Sequence, residues 1–265
     1  MISDRVKNIK PSLTLEITDK ARKMKAEGIS VIGFGAGEPD FNTPDYINAA
    51  AKKAIDIGFT KYTPASGTPQ LKKAICEKFL KDNGLYYEPE QIVVSSGAKS
   101  SLYHAICAMI NPGDEVILPT PYWLTYPELI GLAQGKTVYV DCVKENGYKM
   151  TADRLEKAIT GKTKCVIINS PNNPTGAVYS EDELKSIAKV IEKHGLYVIS
   201  DEIYEKLVYG GAKHYSIACC SDYMKEHTVV VNGVSKSYAM TGWRIGYFAA
   251  PRDIAKAAAS MQSHT

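Results

Sequence analysis

The stretch VNGVSKSYAMTGWRIGYFAA, residues 231–250, organises the chain, because it sets a lysine and an arginine between two apolar runs. Lys236 follows a β-branched run at 228–231, which predicts the end of a buried strand. Arg244 stands in front of the second apolar run. A lysine at such an edge loses hydration and becomes a nucleophilic amine, and the arginine is a fixed cation for phosphate or carboxylate. Taken alone, both residues are equally typical of solvated surface charges.

Around this stretch the sequence alternates between short apolar runs and helical patterns. The runs are QIVVSS (91–96), EVILPT (115–120), TVYVD (137–141), KCVIINS (164–170), LYVISDE (196–202), TVVVNG (228–233) and RIGYFAA (244–250). Helical patterns fall near 98–110, 121–134, 153–160 and 180–194. Runs this apolar indicate strands buried on both faces, so the sequence predicts an α/β fold with a mainly parallel, helix-covered sheet.

The N-terminal part is organised differently. Helices are predicted at 14–27, 45–57 and 68–82, with a Gly- and Pro-containing loop at 58–67. ISVIGFGAGEPDF (29–41) predicts a strand that runs into a glycine-rich turn. The turn is similar to a dinucleotide fingerprint, but Glu38 takes the place of the third glycine, which disfavours that interpretation.

The composition is that of an ordinary globular protein. The 265 residues are 45% hydrophobic and 23% charged, with a net charge of +3, so nothing favours nucleic acid or an anionic membrane as a partner. The six cysteines form no C-x-x-C motif and have no histidine at zinc-ligand spacing. With no signal-peptide or membrane-span pattern, these features predict a cytoplasmic location.

Ligands of open α/β sheets bind beyond the carboxyl ends of the strands, so the residues that follow each run are the candidates. After QIVVS, the small residues around Gly97 and Ala98 open a helix and leave backbone N–H groups free for an anion. Trp123, after EVILPT, can stack on a planar ring. A plain strand-to-helix turn and a packed core aromatic explain the same residues.

Two later strand ends carry polar groups. Asn173, in SPNNPTG, is either a turn residue or an amide donor to a ring oxygen. Asp201 ends a buried strand and needs a partner, for which a cationic pyridinium nitrogen or a helix N-terminus would serve. Tyr204, three residues on, is placed to reach a ring hydroxyl. Together with Lys236 and Arg244, these groups make up the set that a pyridoxal-phosphate site needs.

The motifs also resemble a known family. Gly35–Phe41 (GAGEPDF), Pro121–Trp123 (PYW), Asn169–Gly176 (NSPNNPTG), Ser200–Glu205 (SDEIYE) and Ser235–Tyr247 (SKSYAMTGWRIGY) are similar to the signatures of bacterial aspartate aminotransferases. These are class I/II pyridoxal-phosphate enzymes of fold type I, and the resemblance covers essentially the whole chain. It implies a three-layer α/β/α large domain with a mainly parallel seven-stranded sheet, pyridoxal 5'-phosphate as cofactor, and a homodimer.

The resemblance also implies roles for individual residues. Lys236 would form the Schiff base and shuttle the proton, Asp201 would pair with the pyridinium nitrogen, and Tyr204 would contact the ring oxygen. The residues implied to hold the cofactor are Ala98, Lys99, Trp123, Asn173, Asp201, Tyr204, Ser235, Lys236, Arg244 and, from the neighbouring subunit, Tyr62. The residues implied to contact the substrate are Gly37, Trp123 and Asn173. Lys10 stands where relatives that accept prephenate carry a lysine.

The implied activity is ping-pong transfer of an amino group between an amino acid, aspartate or similar, and 2-oxoglutarate. The chain departs from the family by stopping inside a predicted helix near residue 265. It is therefore expected to comprise an N-terminal segment of the small domain (1–45) and the large domain (46–265). The C-terminal part, with the arginine that binds the substrate α-carboxylate, is expected to be absent, which would impair turnover.

Three other functions stay open on the same fold. The chain could be a cofactor-binding fragment that does not turn over, or a pyridoxal-phosphate-dependent C–S lyase. A cofactor-sensing regulator is disfavoured, because the sequence contains no DNA-binding helix-turn-helix and no basic patch.

Overall fold

The computed structural model describes residues 2–7, 9–11, 13–35 and 37–265, and it is built around one seven-stranded sheet. The strands are β1 (Ile92–Ser95), β2 (Glu115–Thr120), β3 (Lys136–Asp141), β4 (Thr163–Asn169), β5 (Tyr197–Asp201), β6 (Thr228–Gly233) and β7 (Gly246–Ala249). Their order across the sheet is β1-β7-β6-β5-β4-β2-β3. Only β7 runs antiparallel to its neighbours, so the prediction of a mainly parallel seven-stranded sheet is confirmed.

The helices connect these strands and precede them. They are α1 (Asp4–Lys7), α2 (Leu13–Ala26), α3 (Asp45–Asp56), α4 (Pro69–Lys78), α5 (Ala98–Met109), α6 (Thr125–Leu132), α7 (Ala152–Ala158), α8 (Glu181–His194), α9 (Asp222–Glu226) and α10 (Arg252–Gln262). A π-helical turn, Phe79–Asn83, continues α4. No helix in the described ranges is both long enough and apolar enough to cross a membrane.

Local sequence explains where α8 begins and ends. The hydroxyl of Ser180 accepts from the N–H of Glu183, and the Glu183 side chain accepts from the N–H of Ser180, which forms a capping box. The helix ends at Gly195, whose φ of +65° is the left-handed conformation that glycine adopts without strain. Its buried side, which includes Leu184 and Ile187, packs on the sheet.

The sheet has a core on each face, which gives the three layers. β4 shows the alternation: Cys165 and Ile167 belong to the core beneath α5, α6 and α10, whereas Val166 and Ile168 belong to the core beneath α7 and α8. All four side chains are at most 1% exposed. Burying a large aliphatic side chain stabilises the fold by roughly 1.5–3 kcal/mol. The strands other than the edge strand β3 are largely buried, so they hold the residues at their ends in fixed positions.

The strand directions bring the candidate residues to one edge. Asn169 of β4 pairs with Asp201 of β5, which in turn pairs with Val231 of β6, so three strand ends lie side by side. Because β7 is antiparallel, its first residue, Gly246, lies at this same edge. The reversal thus delivers Arg244, which directly precedes β7, to the edge where Asp201 and Lys236 stand.

Two predictions about elements differ from the structure. The predicted strand at the start of 29–41 is wrong: residues 29–34 make no strand pairing within the described chain, and Ile32 and Phe34 are 84% and 92% exposed. The helix predicted for 121–134 begins only at Thr125. The residues before it, including Pro121 and Tyr122, form the turn that leaves β2. The remaining strand predictions are confirmed to within about three residues at each end.

Candidate active site

Lys236 follows β6 and points towards the N-terminal segment. Its Nζ donates a hydrogen bond to the carbonyl oxygen of Gly37, and lies 5.7 Å from the ring centre of Tyr204. Burial lowers the pKa of Lys236, and the nearby Arg244 lowers it further, while Glu38 opposes the effect. A larger fraction of the amine is therefore uncharged and nucleophilic than on the protein surface.

Asp201 is the buried acid of this edge, at 3% exposure. Its Oδ2 accepts a hydrogen bond of 2.7 Å from the hydroxyl of Tyr126, and its Oδ1 accepts one of 3.2 Å from the N–H of Ile203. Burial raises the pKa of Asp201 to about 6, although both hydrogen bonds act in the opposite direction. A cation placed beside this carboxylate would restore the ionised form, so the group is suited to pair with a positively charged ring nitrogen.

Tyr204 and Asn173 are brought together beside Asp201. A side-chain hydrogen bond joins the two residues, and burial raises the pKa of Tyr204. The backbone N–H of Asn173 donates to Oδ1 of Asn169 at 2.7 Å, and Nδ2 of Asn169 donates to the carbonyl oxygen of Asp201 at 2.9 Å. The Asn169 side chain thus ties the turn after β4 to the end of β5. An amide and a phenol are held where a ring oxygen could accept from both.

A cradle for an anion lies at the start of α5. Gly97 has a φ of +84°, and Ala98 is the first residue of the helix. The guanidinium of Arg244 lies directly over Gly97, so that a Cβ on this glycine would overlap it. Nη1 of Arg244 donates to the carbonyl oxygen of Thr241 at 2.9 Å, which fixes its orientation. A helix N-terminus faced by a fixed guanidinium is a phosphate-binding arrangement.

Lys99, Trp123 and Ser235 are also present at this edge. Nζ of Lys99 lies 4.9 Å from the ring centre of Trp123, and burial together with Arg244 lowers the pKa of Lys99. The Trp123 ring meets Tyr126 edge-on, with ring centres 5.5 Å apart. Ser235, which precedes the lysine, is 8% exposed. The structure therefore gathers the predicted cofactor residues of this chain, except Tyr62, around one edge of the sheet.

The N-terminal segment closes this edge from above. The Thr43 hydroxyl donates to the carbonyl oxygen of Ala239 at 2.7 Å and accepts from Nε1 of Trp243 at 3.1 Å. The Thr241 hydroxyl donates to the carboxylate of Glu38. Between this segment and the Lys236 loop lies a cavity of about 460 Å³. It is lined by Gly37, Glu38, Pro39, Asp40, Phe41, Asn42, Pro44, Tyr204, Leu207, Tyr209, Lys236, Ser237, Tyr238 and Ala239.

Some predicted residues lie elsewhere. The side chain of Tyr62 is fully exposed and does not line the cavity. Lys10 is exposed, and its backbone N–H donates to the carboxylate of Glu128 at 3.3 Å. Ser12 and Ala36, which belong to the K-P-S and AGEPDF segments, lie outside the described residues. A second cavity of about 570 Å³, near Glu145 and Asp182, shares no residue with this site.

Tyr126 is the site residue that the sequence analysis missed. It is fully buried on α6 and makes the shortest hydrogen bond that reaches the Asp201 carboxylate. Its place in the sequence, three residues after Trp123 at the start of a helix, is also typical of an ordinary core aromatic. The signal that could have found it is the need of a buried carboxylate for a donor from a neighbouring element.

Gly246 shapes the cradle from below, which leads to a first prediction. A Cβ at this position would overlap the backbone of Gly97 and Ala98. Gly246→Ala is therefore expected to lower the free energy of unfolding by about 1–3 kcal/mol and to weaken phosphate-group binding at the cradle. Thermal unfolding and a cofactor titration measure both effects. Gly161→Ala is the control, because nothing lies within 4 Å of a Cβ there; equal behaviour of the two variants would contradict the prediction.

The geometry meets the requirements of pyridoxal phosphate. The buried Asp201 carboxylate fits a cationic ring nitrogen, the Gly97–Arg244 cradle fits the phosphate, and the Lys236 amine fits the aldehyde. Each of these features is a property of the chain itself. A cradle that a single added Cβ would fill is the most specific of them.

Comparison with known proteins leads to the same family. Residues 29–265 match the family model for aminotransferase class I and II. The chain is 54% identical over 264 residues to an aspartate aminotransferase of Geobacillus stearothermophilus, covering 100% of this chain and 67% of that protein. It is 52% identical over 264 residues to a probable aspartate/prephenate aminotransferase of Aquifex aeolicus (strain VF5), with the same coverage of 100% and 67%.

A solved structure also matches the whole chain. The aspartate aminotransferase from Thermus thermophilus with maleate superposes with a TM-score of 0.97 at 43% sequence identity, covering 100% of this chain and 68% of that one. The likeness extends over the sheet, its helices and the edge that carries Lys236. The chain thus belongs to the class I and II aminotransferases and is a pyridoxal-phosphate-dependent transaminase.

Proposed function

We propose that the chain encodes transfer of an amino group between aspartate, or a similar amino acid, and 2-oxoglutarate, with Lys236 as the residue to which the cofactor is attached. The observation that carries this proposal is the position of the Lys236 amine. It has a lowered pKa, contacts the Gly37 carbonyl oxygen, and lies between Tyr204 and Arg244. Relatives named aspartate aminotransferase support the amino donor.

The remaining site residues orient and hold. When bound, pyridoxal phosphate supplies an electron sink that makes the substrate Cα–H acidic. The Lys236 amine is then the base that takes this proton and returns it, because it is the amine with lowered pKa that lines the cavity. Asp201 holds a positive charge on the ring nitrogen. Tyr204 and Asn173 would hydrogen-bond the ring oxygen, and Trp123 would stack on the ring.

The phosphate and the substrate are assigned to two different sets of groups. The Ala98 N–H, Lys99, Ser235 and Arg244 surround the phosphate in this proposal, at the cradle described above. Gly37 and Asn173 contact the substrate. Of the described residues that line the cavity, none is an arginine, and Glu38 and Asp40 add negative charge.

A carboxylate substrate thus has no bidentate cationic partner in the cavity of this chain. Charge-assisted bidentate pairs fix orientation as well as affinity. We therefore propose that this chain by itself turns over poorly while still holding the cofactor. The Lys10 segment is proposed to touch prephenate, a second acceptor suggested by relatives named aspartate/prephenate aminotransferase.

We further propose a homodimer in which Tyr62 reaches the phosphate of the neighbouring subunit. Its fully exposed phenol supports this proposal, as does the face of α3 and its following loop, where Tyr46, Ile55 and Ile57 are 69–71% exposed. We propose the division into a small-domain segment (1–45) and a large domain (46–265), because all seven strands lie in the later range.

Trapping the cofactor tests the proposal. The purified chain is mixed with pyridoxal phosphate, reduced with borohydride and digested, and the modified peptide is identified by mass spectrometry. We expect visible absorbance before reduction and a single modified peptide containing Lys236. Lys185, exposed on α8, is the internal control for non-specific labelling. Labelling spread over surface lysines, or no visible absorbance, would overturn the assignment.

Turnover is measured separately with aspartate and 2-oxoglutarate. Oxaloacetate and glutamate are the expected products, formed more slowly than by the relatives named above. Pyruvate release without amino transfer would indicate a lyase instead. Rates equal to those of the relatives would contradict the expected impairment while leaving the assignment of Lys236 intact.

A further inference from the structure

The turn 201–205, DEIYE, sends its side chains in two directions. Asp201 and Tyr204 belong to the active-site edge, as described above. Glu202 and Glu205 are 0% and 5% exposed, and both point into the protein behind the site. Two buried carboxylates in one turn are costly unless each has its own partners. The partners therefore show what the turn is built to do.

Glu202 is fully hydrogen-bonded. Its Oε1 accepts from the hydroxyls of Ser200 at 2.8 Å and Ser216 at 2.6 Å, and its Oε2 lies 2.9 Å from Nε2 of His214. Burial lowers the pKa of His214, but the Glu202 carboxylate outweighs this effect and the pKa is raised. The pair is therefore a buried histidine–carboxylate contact that joins β5 to the loop at 214–216.

Glu205 is held in the same manner by a different element. Its Oε1 forms an ion pair with Nζ of Lys78, at the end of α4, and its Oε2 accepts from Nδ2 of Asn83 at 3.0 Å. Nζ of Lys78 also donates to Oδ1 of Asn83 at 2.8 Å. The Lys78 side chain is 17% exposed and that of Glu205 is 3% exposed. Little solvent screens this pair.

The cluster has the residue types of a metal site, but its donors are already used. Ligand atoms of Glu202, Glu205 and His214 lie within 4.8 Å of one another. Each of the four carboxylate oxygens nevertheless has a partner from the chain, and Lys78 places a positive charge beside Glu205. The carboxylate oxygens are therefore already paired rather than open for coordination.

We propose that Lys78 and His214 are positioning residues of the transaminase: through Glu205 and Glu202, they anchor the turn that presents Asp201 and Tyr204 to the cofactor. The anchors sit on opposite ends of the turn: Lys78 comes from α4, and His214 comes from the loop that follows the turn. Buried ion pairs add little net stability compared with apolar residues of similar volume. Their presence behind the turn is therefore better explained by the fixed position that they give to it. This inference rests on the proposed roles of Asp201 and Tyr204.

The test removes both charges of a pair together. A single substitution leaves one buried charge without a partner and can unfold the protein. The variants are therefore Lys78→Met/Glu205→Gln and His214→Gln/Glu202→Gln. Lys78→Arg keeps the positive charge and is the conservative variant. Lys149→Met/Glu183→Gln is the control, because it removes a partly buried ion pair far from the turn and also weakens the cap of α8.

The first measurement is amide hydrogen exchange in the cofactor-free protein. Each of the two neutral double variants is expected to speed exchange in a peptide covering 201–207 by at least about tenfold, with no change in β4. The second measurement is the dissociation constant of pyridoxal phosphate, which should rise by about tenfold. In turnover, kcat should fall by about tenfold while KM for the amino donor changes by less than about twofold. Lys78→Arg should retain most of the parental cofactor affinity and most of the parental kcat.

The outcomes separate this inference from the proposed function. Parental exchange at 201–207, or cofactor affinity and kcat equal to those of the parent, would overturn it even when Lys236 is confirmed. If the control variant lowers kcat as strongly as the other two, the pairs matter only for stability and the inference is also overturned. Failure of the parent chain to bind cofactor at Lys236 would instead refute the proposed function, and the exchange data would still decide whether the pairs hold the turn.

Discussion

Lys236→Ala is expected to lower amino transfer by about 10⁴-fold, the upper range for removal of a group that moves a proton in the transition state. The same change removes the covalent attachment of the cofactor, so the visible absorbance that the parent acquires should be lost. The physical reason is that Nζ of Lys236 is the amine that faces the cavity with a lowered pKa. Steady-state rates at saturating cofactor and an absorbance titration measure the two effects.

The control for this experiment is Lys185→Ala, which changes an exposed lysine of α8. Its rate and absorbance should match those of the parent. The thermal unfolding of cofactor-free Lys236→Ala should also resemble that of the parent. Lys236 contributes one solvent-exposed hydrogen bond, to the carbonyl oxygen of Gly37, and no core packing. Residual transfer within tenfold of the parental rate would refute the catalytic role of this lysine.

Asp201→Asn is expected to lower kcat by about 10²–10³-fold, comparable to the removal of one charge-stabilising group from a preorganised site. The amide has no negative charge with which to hold a proton on the ring nitrogen. KM should change less than kcat, because Asp201 is buried and does not line the cavity. Asp201→Glu, which keeps the charge, is the matched variant and should recover part of kcat. A rate for Asp201→Asn within tenfold of the parent would contradict the assignment.

The same substitution is expected to stabilise the cofactor-free protein above pH 6. Burial raises the pKa of Asp201 to about 6 from the usual 3.8, so the folded state keeps a proton that the unfolded state loses between these values. Stability therefore falls as the pH rises through this window. At about 1.4 kcal/mol per pH unit, the full cost is about 3 kcal/mol at neutral pH. Asparagine carries no such cost. Its single side-chain oxygen can accept from only one of the two donors, the Tyr126 hydroxyl and the Ile203 N–H, so the lost hydrogen bond reduces the gain in stability by about 1 kcal/mol.

Denaturant unfolding of the two proteins at pH 4 and pH 7 measures this effect. The advantage of the Asp201→Asn variant should be present at pH 7 and mostly lost at pH 4, which lies well below the folded-state pKa of about 6 and close to the unfolded-state value of 3.8. Added pyridoxal phosphate should reverse the order, because the parent binds it and the variant binds it less well. Equal stabilities at pH 7 would show that the buried carboxylate is compensated by groups other than Tyr126 and Ile203.

The sequence was informative wherever a strand ends at the functional edge. Apolar runs located all seven strands, and the edge rule then selected Asp201, Asn173 and Lys236. The structure places these residues at that edge, because the position of each depends on a local pattern followed by one polar residue. The antiparallel direction of β7 was not predicted, since an apolar run reads the same in either direction. That direction is what places Arg244 over Gly97.

The failures share one cause, which is that tertiary partners leave little trace in a single sequence. Tyr126 and Lys78 come from helices far in sequence from the 201–205 turn, and His214 lies in a loop whose path back to the turn no local pattern predicts. The run at 29–34 has the composition of a strand, yet it pairs with no strand within the described chain. The local pattern of a segment indicates its preference for a strand, but whether a neighbouring strand pairs with it depends on the tertiary structure.

The link between the segment at 37–43 and the loop at 236–243 has a consequence for synthesis on the ribosome. Thr43 and Gly37 leave the exit tunnel about 200 residues before Ala239 and Lys236, with which they pair. The segment at 37–43 therefore remains exposed to solvent until the loop at 236–243 has emerged. A nascent chain that ends before Lys236 lacks the amine to which the cofactor is proposed to attach. In pulse-labelling experiments, the time at which cofactor binding appears would therefore report when the segments 37–43 and 236–243 have come into contact.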